Sequence, residues 1–352
     1  MAVEPLNNTA GVPEGIPENK PLWVSVSPHI RSGRTVRTIM WTVIITLLPA
    51  VIASIVYFGT PVLAVVLTSV ISCVAVEAVC QKFYKRPLRI SDGSAVLTGL
   101  LIAMVVPPAV PLYILPLAAL VSMFVVKELV GGLGYNVFNP ALVGRAFLVA
   151  CFPVAMTTAY IDPAFTWMGA NSIASDAVSA ATPLTLLKHG GMAAVKEAYG
   201  SGGEMFINLL LGLRPGSAGE TPALLIMLGG IVLIAMRIIT WHIPVFMLLT
   251  VAVFGWAFGG ETGWFTGDPL FHLLNGGLML GAFYMATDYV TSPTTTKGKI
   301  CFAIGVGLLT VLIRLKGGYP EGVAYAILLM NPLTPCFERW FAPKRFAEPP
   351  KA

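Results

Sequence analysis

The chain has 352 residues, 56% of them hydrophobic and only 11% charged, with a net charge of +5 and a mean hydropathy of +0.80. Soluble domains carry about 25% charged residues, so this composition excludes an ordinary water-soluble protein and points to a bilayer. The Lys and Arg residues sit beside apolar spans rather than on one interleaved basic face, which argues against nucleic acid as a partner.

The first twenty residues are rich in Pro, Gly, Asn and Glu and lack an apolar core. They read as a flexible tail without a cleavable signal peptide. A helical bilayer crossing takes about 20 mostly apolar residues, and ten candidates follow. They are 38–58, 61–80, 94–106, 109–126, 141–160, 220–240, 243–259, 270–287, 299–315 and 321–337. The fold expected is therefore an all-α integral membrane protein. Its parts are a tail at 1–37, five spans over 38–160, a loop at 161–219, five spans over 220–340 and a tail at 341–352. Cytoplasmic segments collect Lys and Arg. With the N-terminus inside, 17 of the 22 such residues fall in inner segments, Lys82 to Arg89 being the clearest cluster. Both termini are then cytoplasmic and the loop 161–219 lies on the outer side.

The two halves echo each other. Gly99-Leu100-Leu101-Ile102-Ala103-Met104 is similar to Gly277-Leu278-Met279-Leu280-Gly281-Ala282. Gly131-Gly132 followed by Asn139-Pro140 is similar to Gly317-Gly318 followed by Asn331-Pro332. Five spans per half is an odd number, so the second half sits upside down relative to the first. The third span is short before Pro107-Pro108, and its counterpart carries Asn275-Gly276-Gly277 at depth. Inverted repeats with short or broken helices place a site near the midplane.

Few residues carry obvious chemistry. Cys73, Cys80, Cys151, Cys301 and Cys336 are scattered without C-x-x-C pairs, which leaves no zinc or iron–sulfur site in this chain alone. His29, His189, His242 and His272 are isolated. Glu77, Arg145, Lys127 and Glu128 lie within snorkelling reach of an interface, where anchoring or ion pairing explains them, and a cation path is the sharper reading of Glu77. Asp92 and Ser94 suit an N-cap of the third span. Met285 to Lys299 offers a carboxylate, several hydroxyls and two lysines at the inner face, suited to a flavin ring, a phosphate, or the cap of the following helix. Thr287 and Asp288 are the candidate site residues there, with Asn275 and Glu77 as further flavin or cation candidates.

Within the outer loop, Ser175 to Thr185 is small, polar and permissive. Taken by composition it is a connector whose Thr182 hydroxyl is open to a large group. Asp176-x-x-Ser179-Ala180-Ala181-Thr182 resembles the flavinylation motif in which a threonine carries FMN through a phosphoester bond. Ala180 stands where that motif commonly has Gly. Met285-Ala286-Thr287-Asp288-Tyr289-Val290-Thr291-Ser292-Pro293 resembles the second signature of the same family. That family comprises two homologous membrane proteins, the D component of the Rnf complex and the B component of the sodium-pumping NADH:quinone oxidoreductase. The resemblance runs from about Ser25 to Trp340, and the short N-terminal tail favours the Rnf type.

The resemblance implies a membrane electron carrier in an ion-translocating ferredoxin:NAD+ oxidoreductase of the bacterial cytoplasmic membrane, not catalytic alone. It implies covalent FMN on Thr182, cradled by Asp176, Ser179, Ala180 and Ala181 on the outer side, and a noncovalent riboflavin as a further candidate. Implied partners are the other Rnf components: a periplasm-facing FMN protein (the G component), two membrane proteins (A and E) and two cytoplasmic ones (B and C). A flavin transferase and Na+ or H+ complete the set. Other readings are a component of the quinone-linked pump, an inverted-repeat channel or transporter without redox function, and a plain membrane anchor.

Overall fold

The computed structural model describes residues 35–163, 181–200, 202–260, 263–319 and 321–342. Among these every regular element is helical. Three helices are long and apolar enough to cross a membrane by length and composition: α1 (Val36–Phe58), α2 (Thr60–Phe83) and, late in the chain, Thr296–Lys316. An all-helical protein with several apolar helices is thus what the composition dictated.

The remaining apolar helices are shorter. α3 (Ser94–Val105) starts after Gly93 and stops before Pro107-Pro108; its 12 residues rise about 18 Å, short of the roughly 30 Å hydrocarbon core. Asp92 Oδ1 accepts from the Ser94 N–H (2.8 Å) and Oγ (2.7 Å), so Asp92 caps α3 from two positions ahead. α4 (Leu115–Ala119) runs straight into a wider-turned stretch, Leu120–Glu128, with i→i+5 pairing such as Leu129 N–H to the Phe124 carbonyl. Such π-type turns are uncommon and cluster at functional sites. α5 (Pro140–Cys151) is capped by Asn139, whose Oδ1 accepts from Ala141 and Leu142 N–H, with Pro140 in the first helical position. α6 (Pro153–Thr158) follows after one residue.

Two helices stand inside what the sequence reads as a loop over 161–219: α7 (Pro183–Tyr199), kinked at Gly191, and α8 (Gly203–Leu211). Leu184, Val195, Met205 and Leu209 form a separate small core with Phe271, which gives both helices an apolar face to bury. The second half continues with α9 (Ala223–Ala235), α10 (His242–Phe258), the one-turn-plus α11 (Pro269–Leu274) and α12 (Leu278–Leu280). α12 passes into a second wide-turned stretch, Gly281–Met285. α13 (Thr296–Lys316), α14 (Val323–Met330) and α15 (Thr334–Trp340) complete the chain.

Packing places the breaks inside the protein. α2 packs on α3, α4 and the wide-turned stretch after α4, while α10 packs on α11 and α13. α1 lies against α9, and α5 against α14, so the halves meet along two seams. The α2–α3 crossing is close enough that a Cβ on Gly99 would lie 2.6 Å from the Val70 Cα, and Ser69 Oγ donates to the Gly99 carbonyl at 2.8 Å. Exposed Ile45, Ile52, Leu67, Ile71, Leu249 and Leu312 face outward, as lipid contact requires.

Candidate functional site

Asn275-Gly276-Gly277 separates α11 from α12, and interrupted backbone at membrane depth must find partners within the protein. Here charged side chains supply them. Arg214 donates to the carbonyls of Glu220 (3.0 Å) and Leu274 (2.5 Å) and to Asn275 Oδ1. Arg314, on α13, donates to the carbonyls of His272 (2.5 Å) and Asn275 (2.7 Å). Two guanidinium groups thus cap the C-terminal carbonyls of α11, the end where a helix favours positive charge. On the other side of the break, the Gly277 N–H donates to Glu321, whose other oxygen is paired with Arg145 of α5. Gly276 has φ +68°, and a Cβ there would lie 2.8 Å from Arg314 Nη2, so the turn needs glycine.

Three groups of residues from the sequence reading find their partners here. Arg145, expected to anchor at an interface or to form an ion pair, does the latter: it pairs with Glu321, just ahead of α14, at the seam of α5 and α14. Arg214 and Arg314 are 1% and 6% exposed and serve backbone carbonyls. Asn275 is fully buried with its amide spent on Arg214 and the Phe271 carbonyl (2.9 Å), so it stitches the break together.

Thr182 lies beside this network. It is the N-cap of α7: its Oγ1 accepts from the Thr185 N–H at 3.3 Å and lies 2.9 Å from Thr185 Oγ1. It borders a cavity of about 240 Å³ lined also by Tyr160, His189, Glu220 and Glu321. Ala181 is exposed, and its carbonyl accepts from the Tyr199 hydroxyl at 3.5 Å. Burial pushes the Tyr199 hydroxyl up to about 12, Asp162 adding to it, so it stays a donor at neutral pH. Asp176, Ser179 and Ala180 lie outside the described residues.

A second polar group sits at the opposite end of the first half. Lys127, 2% exposed, donates to Glu77 Oε1 (2.5 Å) and Ser94 Oγ (2.7 Å) instead of snorkelling outward. Glu128 is likewise buried and pairs with Arg86 at 3.4 Å. The wide turns over Leu120–Glu128 set these two residues inward. Ser94 and Lys127 line a cavity of about 100 Å³ together with Asn136, Asn139, Thr287 and Asp288. Thr287 Oγ1 donates to the Phe283 carbonyl (2.7 Å), and Asp288 accepts from Thr291 Oγ1 (3.2 Å). Burial raises the Asp288 carboxyl above the usual carboxylate range, the Thr291 hydroxyl working against it. The structure therefore brings Thr287, Asp288 and the partner of Glu77 to one cavity and sets Asn275 and Thr182 at another place. Thr295 caps α13 by accepting from the Gly298 N–H (3.2 Å), the structural role expected of that hydroxyl run.

Interrupted apolar helices, inward charges and two polar cavities define a multi-pass membrane protein with polar machinery inside the bundle. The chain belongs to the NQR2, RnfD, RnfE family, whose model matches residues 23–347. In Clostridium ljungdahlii it is similar to the D component of the proton-translocating ferredoxin:NAD(+) oxidoreductase complex, with 47% identity over 92% of this chain and 95% of that protein. In Acetobacterium woodii it is similar to the D component of the Na(+)-translocating ferredoxin:NAD(+) oxidoreductase complex, with 46% identity over 91% of this chain and 93% of that protein. A third relative, at 40% identity over 90% of this chain and 93% of its own, is the D component of the ion-translocating oxidoreductase complex of Stutzerimonas stutzeri.

Proposed function

We propose that this chain is the membrane electron-carrier component of an ion-translocating ferredoxin:NAD+ oxidoreductase. In this reading it carries FMN on Thr182 through a phosphoester bond and relays electrons across the bacterial cytoplasmic membrane, coupled to export of Na+ or H+. The observation that carries this reading is the position of Thr182 within the flavinylation-like motif: an N-cap hydroxyl at the edge of a cavity. The names of the relatives support the reaction class, and two that differ by one per cent in identity are named for different ions.

The residues present fit an FMN phosphate. A group esterified to the Thr182 Oγ1 meets the N-terminus of α7, where the unpaired N–H groups and the helix dipole favour an anion. The Thr185 N–H and hydroxyl are within reach of the same oxygen. When bound, FMN supplies the electron storage, and the protein supplies attachment, orientation and electrostatics. Glu220 and Glu321 line the cavity itself, and Arg145, Arg214 and Arg314 stand behind them in the adjoining network, so the arginines offset the two carboxylates. In this reading the inner cavity at Thr287 and Asp288 takes a noncovalent flavin such as riboflavin or a cation, with Lys127 at its wall and Glu77 behind Lys127.

The architecture in this reading is ten spans in two inverted five-span repeats, with both termini cytoplasmic and Thr182 on the outer side. The packing of α2 on α3 and α4, set beside that of α10 on α11 and α13, supports the repeat. The other members of the complex and a flavin transferase acting at the outer face are its partners.

In-gel ultraviolet fluorescence of the denatured chain, co-expressed with the flavin transferase, tests the reading. A fluorescent wild-type band that is lost in Thr182→Ala is expected. A dark wild-type band in the presence of active transferase refutes the flavin assignment and favours a channel without redox function.

A further inference from the structure

A cavity of about 730 Å³ opens between α7, α10 and α13, and the electron-carrier reading does not use it. One part of its wall is apolar and aromatic: Leu187, Phe254, Phe258, Leu308 and Leu312. Phe258, Leu308 and Leu312 are 48%, 38% and 55% exposed, so this part faces the hydrocarbon of a membrane rather than the protein core. Trp264 lines the same cavity and is 73% exposed, with Trp256 4.9 Å (ring centroids) from the neighbouring Phe265. Exposed aromatic rings of this kind mark the headgroup level.

The other part of the wall is basic. Lys188, Arg314 and Lys316 line it, and no described lining residue is a carboxylate. Among the described residues, the Lys188 ammonium donates to the backbone carbonyls of Gly317 and Tyr319 and meets no carboxylate. Arg314 is 6% exposed, and its Nε is buried without a hydrogen-bond partner although both terminal nitrogens are used. His272 is 1% exposed, lines the same wall, and both its ring nitrogens lack a partner. Buried polar atoms are nearly always satisfied. Orphaned atoms on two side chains of one cavity therefore point to an occupant that brings acceptors.

We propose that this cavity binds a phospholipid of net negative charge. Its phosphodiester head lies toward Lys188, Lys316 and Arg314, and an acyl chain runs along Phe254, Phe258, Leu308 and Leu312. A free inorganic anion uses the basic end and leaves the aromatic wall bare. A zwitterionic lipid fills the wall and leaves the positive charge unopposed. Only an anionic amphiphile matches both parts.

The test uses the full-length chain in nanodiscs of mixed phosphatidylcholine and phosphatidylglycerol, with brominated acyl chains on one lipid or the other. Bromine quenches tryptophan on contact, and the Trp264 share is isolated by subtracting the signal of Trp264→Phe. Brominated phosphatidylglycerol is expected to quench Trp264 more than brominated phosphatidylcholine at equal mole fraction. Each lysine near a lipid head contributes enough that Lys188→Gln/Lys316→Gln lowers this preference by roughly tenfold or more. Both lysines are exposed, so the variant keeps the fold, and Lys196→Gln, outside the cavity, keeps the preference. Equal quenching by the two lipids overturns the proposal, as does a preference that survives the double substitution. Repeating the measurement in Thr182→Ala separates the lipid from the flavin. A retained preference supports the lipid, and its loss assigns the cavity to the flavin and overturns the proposal.

Discussion

The Glu77–Lys127 pair is buried and the Arg145–Glu321 pair nearly so, yet only the latter is tied to backbone. Glu321 takes the Gly277 N–H as well as Arg145, and the neighbouring arginines take the carbonyls of α11. Its charge is part of how the broken helix is held. Glu77 has Lys127 on one oxygen and nothing on the other, Lys127 shares itself with Ser94, and a cavity adjoins them. No main-chain group depends on that pair. Charges that cap backbone are fixed by the fold, whereas charges held only by side chains can exchange partners, as a cation path requires.

The sharpest way to break this contrast is Glu321→Ala. It strands Arg145 and the Gly277 N–H together, so a loss of about 3–5 kcal/mol is expected, read as a large drop in thermal midpoint in detergent. A midpoint within a few degrees of wild type denies that the pair holds the break. Glu77→Gln is expected to cost about 2 kcal/mol, and Glu77→Gln/Lys127→Met to recover most of it, because the pair is removed as a unit. Lost cation transport in that rescued double variant identifies the pair with ion movement; full transport removes Glu77 from the path. Gly99→Ala forces apart the α2–α3 crossing and is expected to cost about 2 kcal/mol through overpacking, measured the same way. Thr295→Ala removes only a helix cap and is expected to cost about 1 kcal/mol, measured the same way.

Much of the frame was legible in the residues themselves. The long apolar runs, Pro107-Pro108, and Gly276-Gly277 marked helices and breaks directly, because length and glycine content act locally. The Thr295 hydroxyl announced its own cap. What escaped was whatever depends on distant partners. Arg214, three residues past the end of α8, reads as a loop charge until the loop folds inward onto Leu274. Arg145 reads as an anchor or half of an ion pair, and its partner is nameless until Glu321 arrives from the other half. The helices α7 and α8 had a weak signal in Leu184, Leu187, Met205 and Leu209, spaced three or four apart, but a polar neighbourhood hid it. The wide turns over Leu120–Glu128, which aim Lys127 at Glu77, leave no compositional trace.

The pairing of Arg145 with Glu321 also sets a condition on how the chain is made. The two residues lie 176 positions apart, and at about 5–20 residues per second the ribosome takes roughly ten to thirty-five seconds to bridge them. Throughout that interval the nascent first half holds a guanidinium without its counter-charge. The seam between α5 and α14 therefore lacks its ion pair until the last helices are made. The two halves are therefore joined at this seam only at the end of synthesis, and a chain truncated before Glu321 is expected to leave Arg145 unpaired.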